Sequence, residues 1–462
     1  MPRFPRLGAL PMVIGCLFAA AANAAAAESS GPLQQAIGNP SDWKIAATVR
    51  VRYEALDGQP RPALDADEDL LAIKSTLAIE YRTGAWRIGA ELNDSRAYGG
   101  SADGSVTAND VNTFEPVQAF VGLDLGDALG KGSKTALLVG RFTANLGSRR
   151  FLSSDEYRNA TSAYTGLRAD VKAGDGTAAT LFYLLPQLHL PDDQAAILAN
   201  RSALDKETFN LQFFGALVSH PRTLGGAMGE LGFYRLRERD APGRATRDRD
   251  LYTFSARLVR EARAGRFDFE LEGAWQMGQI SASTAPGARS LNVNAGLVHA
   301  GIGYSFAGPA KLRLTLAYDW VSGDTPGGSY NRFDTLFGQR RGEYGPAGLF
   351  SAIGRANLSA PSLRLEAAPG KRFDALAVYR PLWLASPFDS FSTTGVIDKA
   401  GASGRFAGHQ IDSRLRYWLV PGRLRGELNF DWIAKGRFLN SAPNAPRTGD
   451  THYVGAVLTA SL

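Results

Sequence analysis

The chain has 462 residues, with 51 Lys and Arg against 45 Asp and Glu, a formal net charge of +6, and 44% hydrophobic residues. Its single cysteine, Cys16, falls in the N-terminal apolar stretch, which excludes a disulfide scaffold. No later segment holds the roughly 18 uninterrupted apolar residues of a membrane-crossing helix, so a helical membrane bundle is excluded as well.

Arg3 and Arg6 precede an apolar run from Leu7 to Ala22, and Ala22-Asn23-Ala24 fits a small-residue cleavage site. Residues 1–24 therefore read as a secretory signal. Val13-Ile14-Gly15-Cys16 loosely fits a lipoprotein signal, but the apolar stretch continues past the cysteine. Residues 25–42 read as a short periplasmic segment, and 43–462 as one β-domain.

From Trp43 to Ala55 the chain alternates. Trp43, Ile45, Ala47, Val49, Val51, Tyr53 and Ala55 share one face; Lys44, Thr48, Arg50, Arg52 and Glu54 share the other. A period of two is that of a strand, and an apolar face opposed by charges is that of a strand between lipid and a hydrated bore. The pattern recurs. Leu71, Ile73, Leu77, Ile79 and Tyr81 oppose Lys74, Thr76, Glu80 and Arg82; Phe267, Phe269, Leu271, Trp275 and Met277 oppose Asp268, Glu270, Glu272 and Gln276. Near the C-terminus, Ile411, Leu415, Tyr417 and Leu419 oppose Asp412, Arg414 and Arg416; Leu424, Leu428, Phe430 and Trp432 oppose Arg425, Glu427 and Asp431.

Short turns rich in Gly, Pro and Asp, such as Thr83-Gly84, Pro369-Gly370 and Pro421-Gly422, alternate strictly with longer polar stretches, among them 98–113, 143–160, 187–206 and 322–346. Eight short and nine long connections imply about 18 strands, with short periplasmic turns, long external loops and both termini in the periplasm. The segment 347–367 reads as one long strand or two short ones. The chain ends at Leu462 rather than at the aromatic residue common in outer-membrane barrels. A soluble β-sandwich also alternates, but it buries its aromatics and does not oppose them with charges over so many strands. The fold expected is all-β: a transmembrane antiparallel β-barrel.

On these registers the cations facing the bore are Lys44, Arg50, Arg52, Lys74, Arg82, Arg87, Arg141, Arg168, Arg257, Arg313, Arg414, Arg416 and Arg425. They outnumber the inward carboxylates. Arginine and lysine rings favour anions, and a guanidinium grips a carboxylate through two parallel hydrogen bonds. Bracing Arg–Glu and Arg–Asp ladders are the competing use of the same residues.

Catalytic signals are weak. The five histidines have no metal-ligand spacing, no G-x-S-x-G elbow exists, and Gly130-Lys131-Gly132 lacks the pattern of a phosphate loop. Asp268, Glu270 and Glu272 are one face of a strand. Asp65, Asp67 and Asp69 alternate in an external loop without the glycine of a calcium loop. Arg235, Arg237, Arg239, Arg244, Arg247 and Arg249 gather near another loop, where lipopolysaccharide phosphates or anionic cargo are candidate contacts. No catalytic residue, metal or cofactor is expected, and no nucleic acid.

Several blocks resemble the alginate export family of 18-stranded outer-membrane porins. They are Arg50-Val51-Arg52-Tyr53-Glu54; Glu91-Leu92-Asn93-Asp94-Ser95-Arg96; Gly140-Arg141-Phe142 through Leu146-Gly147-Ser148-Arg149-Arg150 to Arg158-Asn159 and Thr165-Gly166-Leu167-Arg168; Glu272 to Gly278; and Ser322-Gly323-Asp324. The resemblance implies an electropositive conduit in the Gram-negative outer membrane, a pore role for Arg141 and Arg168, and a monomer. The expectation is a channel with an electropositive lumen for passive transport of anionic saccharides, with export of an alginate-like polyuronate as the first reading. A general or hydrophobic-solute porin is the alternative. Expected partners are outer-membrane lipid and lipopolysaccharide, an anionic oligo- or polysaccharide cargo, and periplasmic export partners.

Overall fold

In a computed structural model, described over residues 31–339, 343–346 and 348–462, the alternating segments are strands. The first are β1 (Trp43–Asp57), β2 (Asp67–Thr83), β3 (Trp86–Tyr98), β4 (Asn112–Gly126), β5 (Lys134–Phe142) and β6 (Tyr164–Lys172). Next come β7 (Ala178–Pro186), β8 (Leu211–Leu224), β9 (Ala227–Glu238), β10 (Asp250–Arg260), β11 (Arg266–Ser281), β12 (Ser290–Ser305) and β13 (Arg313–Val321). β14 (Ser329–Tyr330) is a two-residue piece within a loop. β15 (Leu358–Ala367), β16 (Phe373–Trp383), β17 (Phe406–Val420), β18 (Leu424–Lys435) and β19 (Thr451–Ser461) complete the set.

β14 lies parallel to β12; the other eighteen strands pair antiparallel with their neighbours. β1 pairs with β19 from Thr48↔Ser461 to Asp57↔His452, which closes the ring. Closure matters in lipid, where an open sheet edge has no water to satisfy it. From 348 to Asn357 the chain is loop, so the described residues of 347–367 contain a single strand. Residues 1–24, and the first part of 25–42, lie outside the described residues. From Gly31 on, the chain hugs the short-turn rim: Gln34 of α1 (Pro32–Ala36) donates to the Trp43 carbonyl at 2.8 Å and accepts from the Ile45 N–H at 2.9 Å.

The outward face is apolar and exposed, with Val49, Leu77, Val139, Leu167, Ile302, Leu316 and Leu428 among its residues. Aromatics mark its two edges. Trp43, Trp86 and Phe267 stand at the short-turn end; Tyr53, Tyr98, Trp275 and Trp320 stand at the loop end. Trp43 to Tyr53 spans ten residues of β1, about 25 Å of membrane height for a strand rising ~3.4 Å per residue at ~40° tilt.

Inside, the bore is not uniformly wet. On the arc β5–β9, Phe142, Tyr164, Phe182, Phe213 and Tyr234 point inward and are buried. Loop residues Phe151, Phe333 and Phe337 cover them, with Phe213–Phe337 ring centroids 5.0 Å apart and Phe151–Tyr234 5.2 Å apart. A strand that carries apolar residues on both faces here meets lipid on one side and a packed plug on the other.

Candidate functional site

The loop between β5 and β6, residues 143–163, turns into the barrel and crosses it. At one end Arg150 pairs with Glu270 at 2.6 Å and with Glu272, both on β11, while Ser148 donates to Glu272 at 3.0 Å. At the other end the loop is sewn to β1–β3, nearly opposite β11 in the ring. Arg50 donates to the carbonyls of Glu156 and Arg158, each at 2.8 Å, and Arg52 to that of Tyr157 at 2.5 Å. Lys74 bonds Thr161, and Ser95 donates to the Asn159 carbonyl at 2.8 Å. Asn159, fully buried, donates in turn to the carbonyls of Ile73, Arg96 and Asp110. The result is a belt that narrows the bore in its outer half.

The loop 322–357 folds onto this belt. Phe337 and Ser153 exchange backbone bonds with Phe151 and Phe337, and Leu349 donates to Glu54 on β1 at 3.3 Å. Its Glu343 joins the two loops: it pairs with Arg150 at 2.5 Å and with Arg355. Burial alone penalises the Glu343 carboxylate, but Arg150 and Arg355 outweigh that and hold it well below the usual carboxylate range. Arg150 thus serves three carboxylates, two on the wall and one on the neighbouring loop. Sequence periodicity could not single it out, because it lies in a loop; the only signal was its place in the block Leu146 to Arg150.

The other cations expected in the bore occupy three settings. Arg313, Arg414, Arg416 and Arg425 form a wet group near the short-turn mouth. Arg313 pairs with Asp268 at 2.5 Å and Glu366 at 2.8 Å, Arg416 with Asp374 at 2.8 Å, Arg414 with Asp374 at 3.5 Å, and Arg425 only approaches Glu427, at 4.0 Å. Arg82 pairs with Glu80 at 2.6 Å, and Lys44, across from Glu80, is exposed at the same rim. Arg52, Arg168 and Arg257 are bracing residues held by Glu54, by Asp170, and by Glu230 and Glu270. Arg50, Lys74 and Arg87 have no carboxylate partner in the ion pairs found among the described residues; Arg87 lies over the Phe120 ring, 5.7 Å from its centre.

Arg141 is the correction. It pairs in register with Ala119 and Thr165 and shares its face with the exposed Leu137 and Val139, while Leu138 and Phe142 point inward. Its guanidinium reaches Glu115 and, at 3.1 Å, Glu207 at the loop-side rim. It lies off the lumen register because apolar residues already occupy the inward positions of β5. Two members of the basic loop cluster are likewise partnered: Arg235 meets Asp250 at 2.9 Å, and Arg249 meets Glu238 and Asp334, each at 2.7 Å.

One row of the sheet is chemically distinct. Arg425 pairs in register with Thr459, Thr459 with Arg50, and Arg50 with Lys74. Three inward cations therefore follow one another along a single level, interrupted only by a hydroxyl. Like charges on opposed strand positions repel. A bracing ladder alternates its signs instead.

Comparison with known proteins agrees with this architecture. The Alginate export family profile matches residues 42–451. No curated protein matches the chain. Among solved structures, the barrel is similar to OccK3 (OpdO) of Pseudomonas aeruginosa, at 15% identity and a TM-score of 0.55, covering 91% of this chain and 96% of that one. It is similar to OccAB1 of Acinetobacter baumannii, at 12% identity and a TM-score of 0.56, with coverage of 91% and 96%. OccK2 (OpdF) of P. aeruginosa, in complex with glucuronate, matches at 14% identity and a TM-score of 0.55 over 91% and 96% of the two chains. At such identities the likeness is one of fold.

Proposed function

The chain belongs to the alginate export family of Gram-negative outer-membrane channels, and on that premise we propose that its lumen passively carries anionic saccharides, with an alginate-like polyuronate as the best fit. The carrying observation is the row Arg425–Thr459–Arg50–Lys74. Arg50 and Lys74 are covered by the belt, to whose carbonyls and Thr161 hydroxyl they donate, so they act on the bore through their field, while the part-exposed Arg425 faces it directly. A unit charge ~4 Å from the path in water is worth about 1 kcal/mol, a factor of about five in anion occupancy. The wet Arg313–Arg416 group at the short-turn mouth gives the cargo an entry of alternating sign, and the belt then forces it past the row. The bound glucuronate of OccK2 is an observation on that protein; for this chain it supports a uronate as the probe of choice.

Bilayer recordings of the purified barrel test the reading. The reversal potential in a salt gradient should report anion preference, and Lys74→Gln or Arg425→Gln, each removing one unit charge, should lower anion permeability up to about fivefold. Uronate oligomers should block the current, while neutral oligosaccharides of equal length should not. Unchanged selectivity in both variants, together with no block, would leave only a general porin.

A further inference from the structure

The wall between β15 and β16 contains a break. Their ladder pairs Ser359 with Trp383 and Leu363 with Tyr379, and no pair forms in between, where Pro361 stands opposite Pro381. Neither proline has an N–H to donate, and lipid cannot replace the missing donor. The same level of the outer face dips at Ala300, between the taller Leu271 and Tyr318, and at the two prolines. Leu271 pairs with Ala300, Ala300 with Tyr318, and Tyr318 with Pro361. The level beneath carries tall side chains: Ile302, Leu316, Leu363 and Tyr379. Residues of these two levels border an almost wholly apolar hollow of about 720 Å³ on the lipid-facing surface, within the ~300–1,000 Å³ of small-ligand sites.

Directly above it, toward the loop side, the chemistry changes. Trp320 follows Tyr318 on the same face of β13 and leans over Gly296, where a Cβ would sit 3.3 Å from the indole. Trp320 and Trp275 then border a second hollow of about 410 Å³ with Asn294, Thr325, Asn331 and Ser386. Trp275 donates to the Asn294 side chain at 2.9 Å, and Asn331 to the Asn294 carbonyl at 2.9 Å. Two indoles flanked by amides and hydroxyls stack on and hydrogen-bond a sugar ring. Trp275, Ser322 and Gly323, which line this hollow, lie in the sequence blocks Glu272 to Gly278 and Ser322 to Asp324.

We infer that this strip of wall holds one glycolipid of the outer leaflet, with an acyl chain over the Pro361–Pro381 break and the saccharide headgroup against Trp275 and Trp320. Three observations select that occupant. The surface is continuous with the lipid-facing band of an outer-membrane barrel, the apolar hollow lies on the membrane side of the polar one, and the polar one faces the external loops. The inference rests on the membrane location alone and is independent of the cargo.

Native mass spectrometry of the delipidated full barrel, titrated with Kdo2-lipid A or with phosphatidylethanolamine, tests it. One lipid A should bind saturably and about tenfold more tightly than phosphatidylethanolamine. Ala300→Phe fills the lower hollow and should weaken both lipids about tenfold while leaving single-channel conductance unchanged. Trp320→Ala should weaken lipid A several-fold and leave phosphatidylethanolamine unmoved. Absence of a saturable lipid, equal affinity for the two lipids, or variants that bind like the parent would each overturn the assignment.

Discussion

Arg150 shows how one side chain joins wall and loops. Its guanidinium is 3% exposed and pairs with Glu270, Glu272 and Glu343. Replacing it with Met would leave three carboxylates crowded together with their main counter-ion gone. Removing one partner of a buried pair costs about 3–5 kcal/mol. Arg150→Met should therefore free the belt, seen as protease cleavage within 143–163 of the refolded barrel and as a larger, noisier conductance. A parental cleavage pattern would show that the bonds donated by the Asn159, Arg50 and Arg52 side chains to backbone carbonyls hold the belt unaided. Arg141 teaches the complementary lesson. The assumed register and the family resemblance placed it in the lumen, but residue parity with Leu137 and Val139 governs direction, and parity put it outside.

The loops carry the pH dependence. Glu343 is held below the ordinary carboxylate range by Arg150 and Arg355 against the opposing effect of burial. A carboxyl depressed in this way contributes stability above its unfolded value, and that contribution is lost as pH falls toward the folded one. The clamp between 143–163 and 322–357 should accordingly be unchanged above about pH 5 and loosen progressively below about pH 4. Conductance measured from pH 7 to pH 3 should rise at the acid end, and Glu343→Gln should remove the rise by loosening the clamp at every pH. A parent that closes on acidification would contradict the assignment. The alternation of short and long connections located these loops along the chain, and the run from Leu146 to Asn159 stood out by family likeness. That they turn inward was not legible, because their partners, from Arg50 to Glu272, are distant in sequence.

At the scale of the whole barrel, the proposed anion selectivity rests on a field effect. The inward wall pairs most of its arginines, so the net bias comes from few charges: the Arg425, Arg50 and Lys74 row and the rims. Such a field is screened over ~10 Å at 0.1 M salt and ~3 Å at 1 M. Anion preference should therefore be strong at low salt and fall steeply toward 1 M, whereas a preference set by specific contacts would persist. Reversal potentials at a constant gradient ratio and rising mean salt distinguish the two.

Strand positions, the antiparallel ring, the alternation of short turns and long loops, and the lipid-facing residues apart from the register of Arg141 follow from the sequence by itself, because side-chain alternation and turn chemistry are local. Which lumen cations are braced and which stand together without a carboxylate was decided only by the tertiary structure. So were the crossing of the bore by residues 143–163 and the meeting of Pro361 with Pro381. Each depends on register between strands and on loops that close over large sequence separations, and a period of two contains neither.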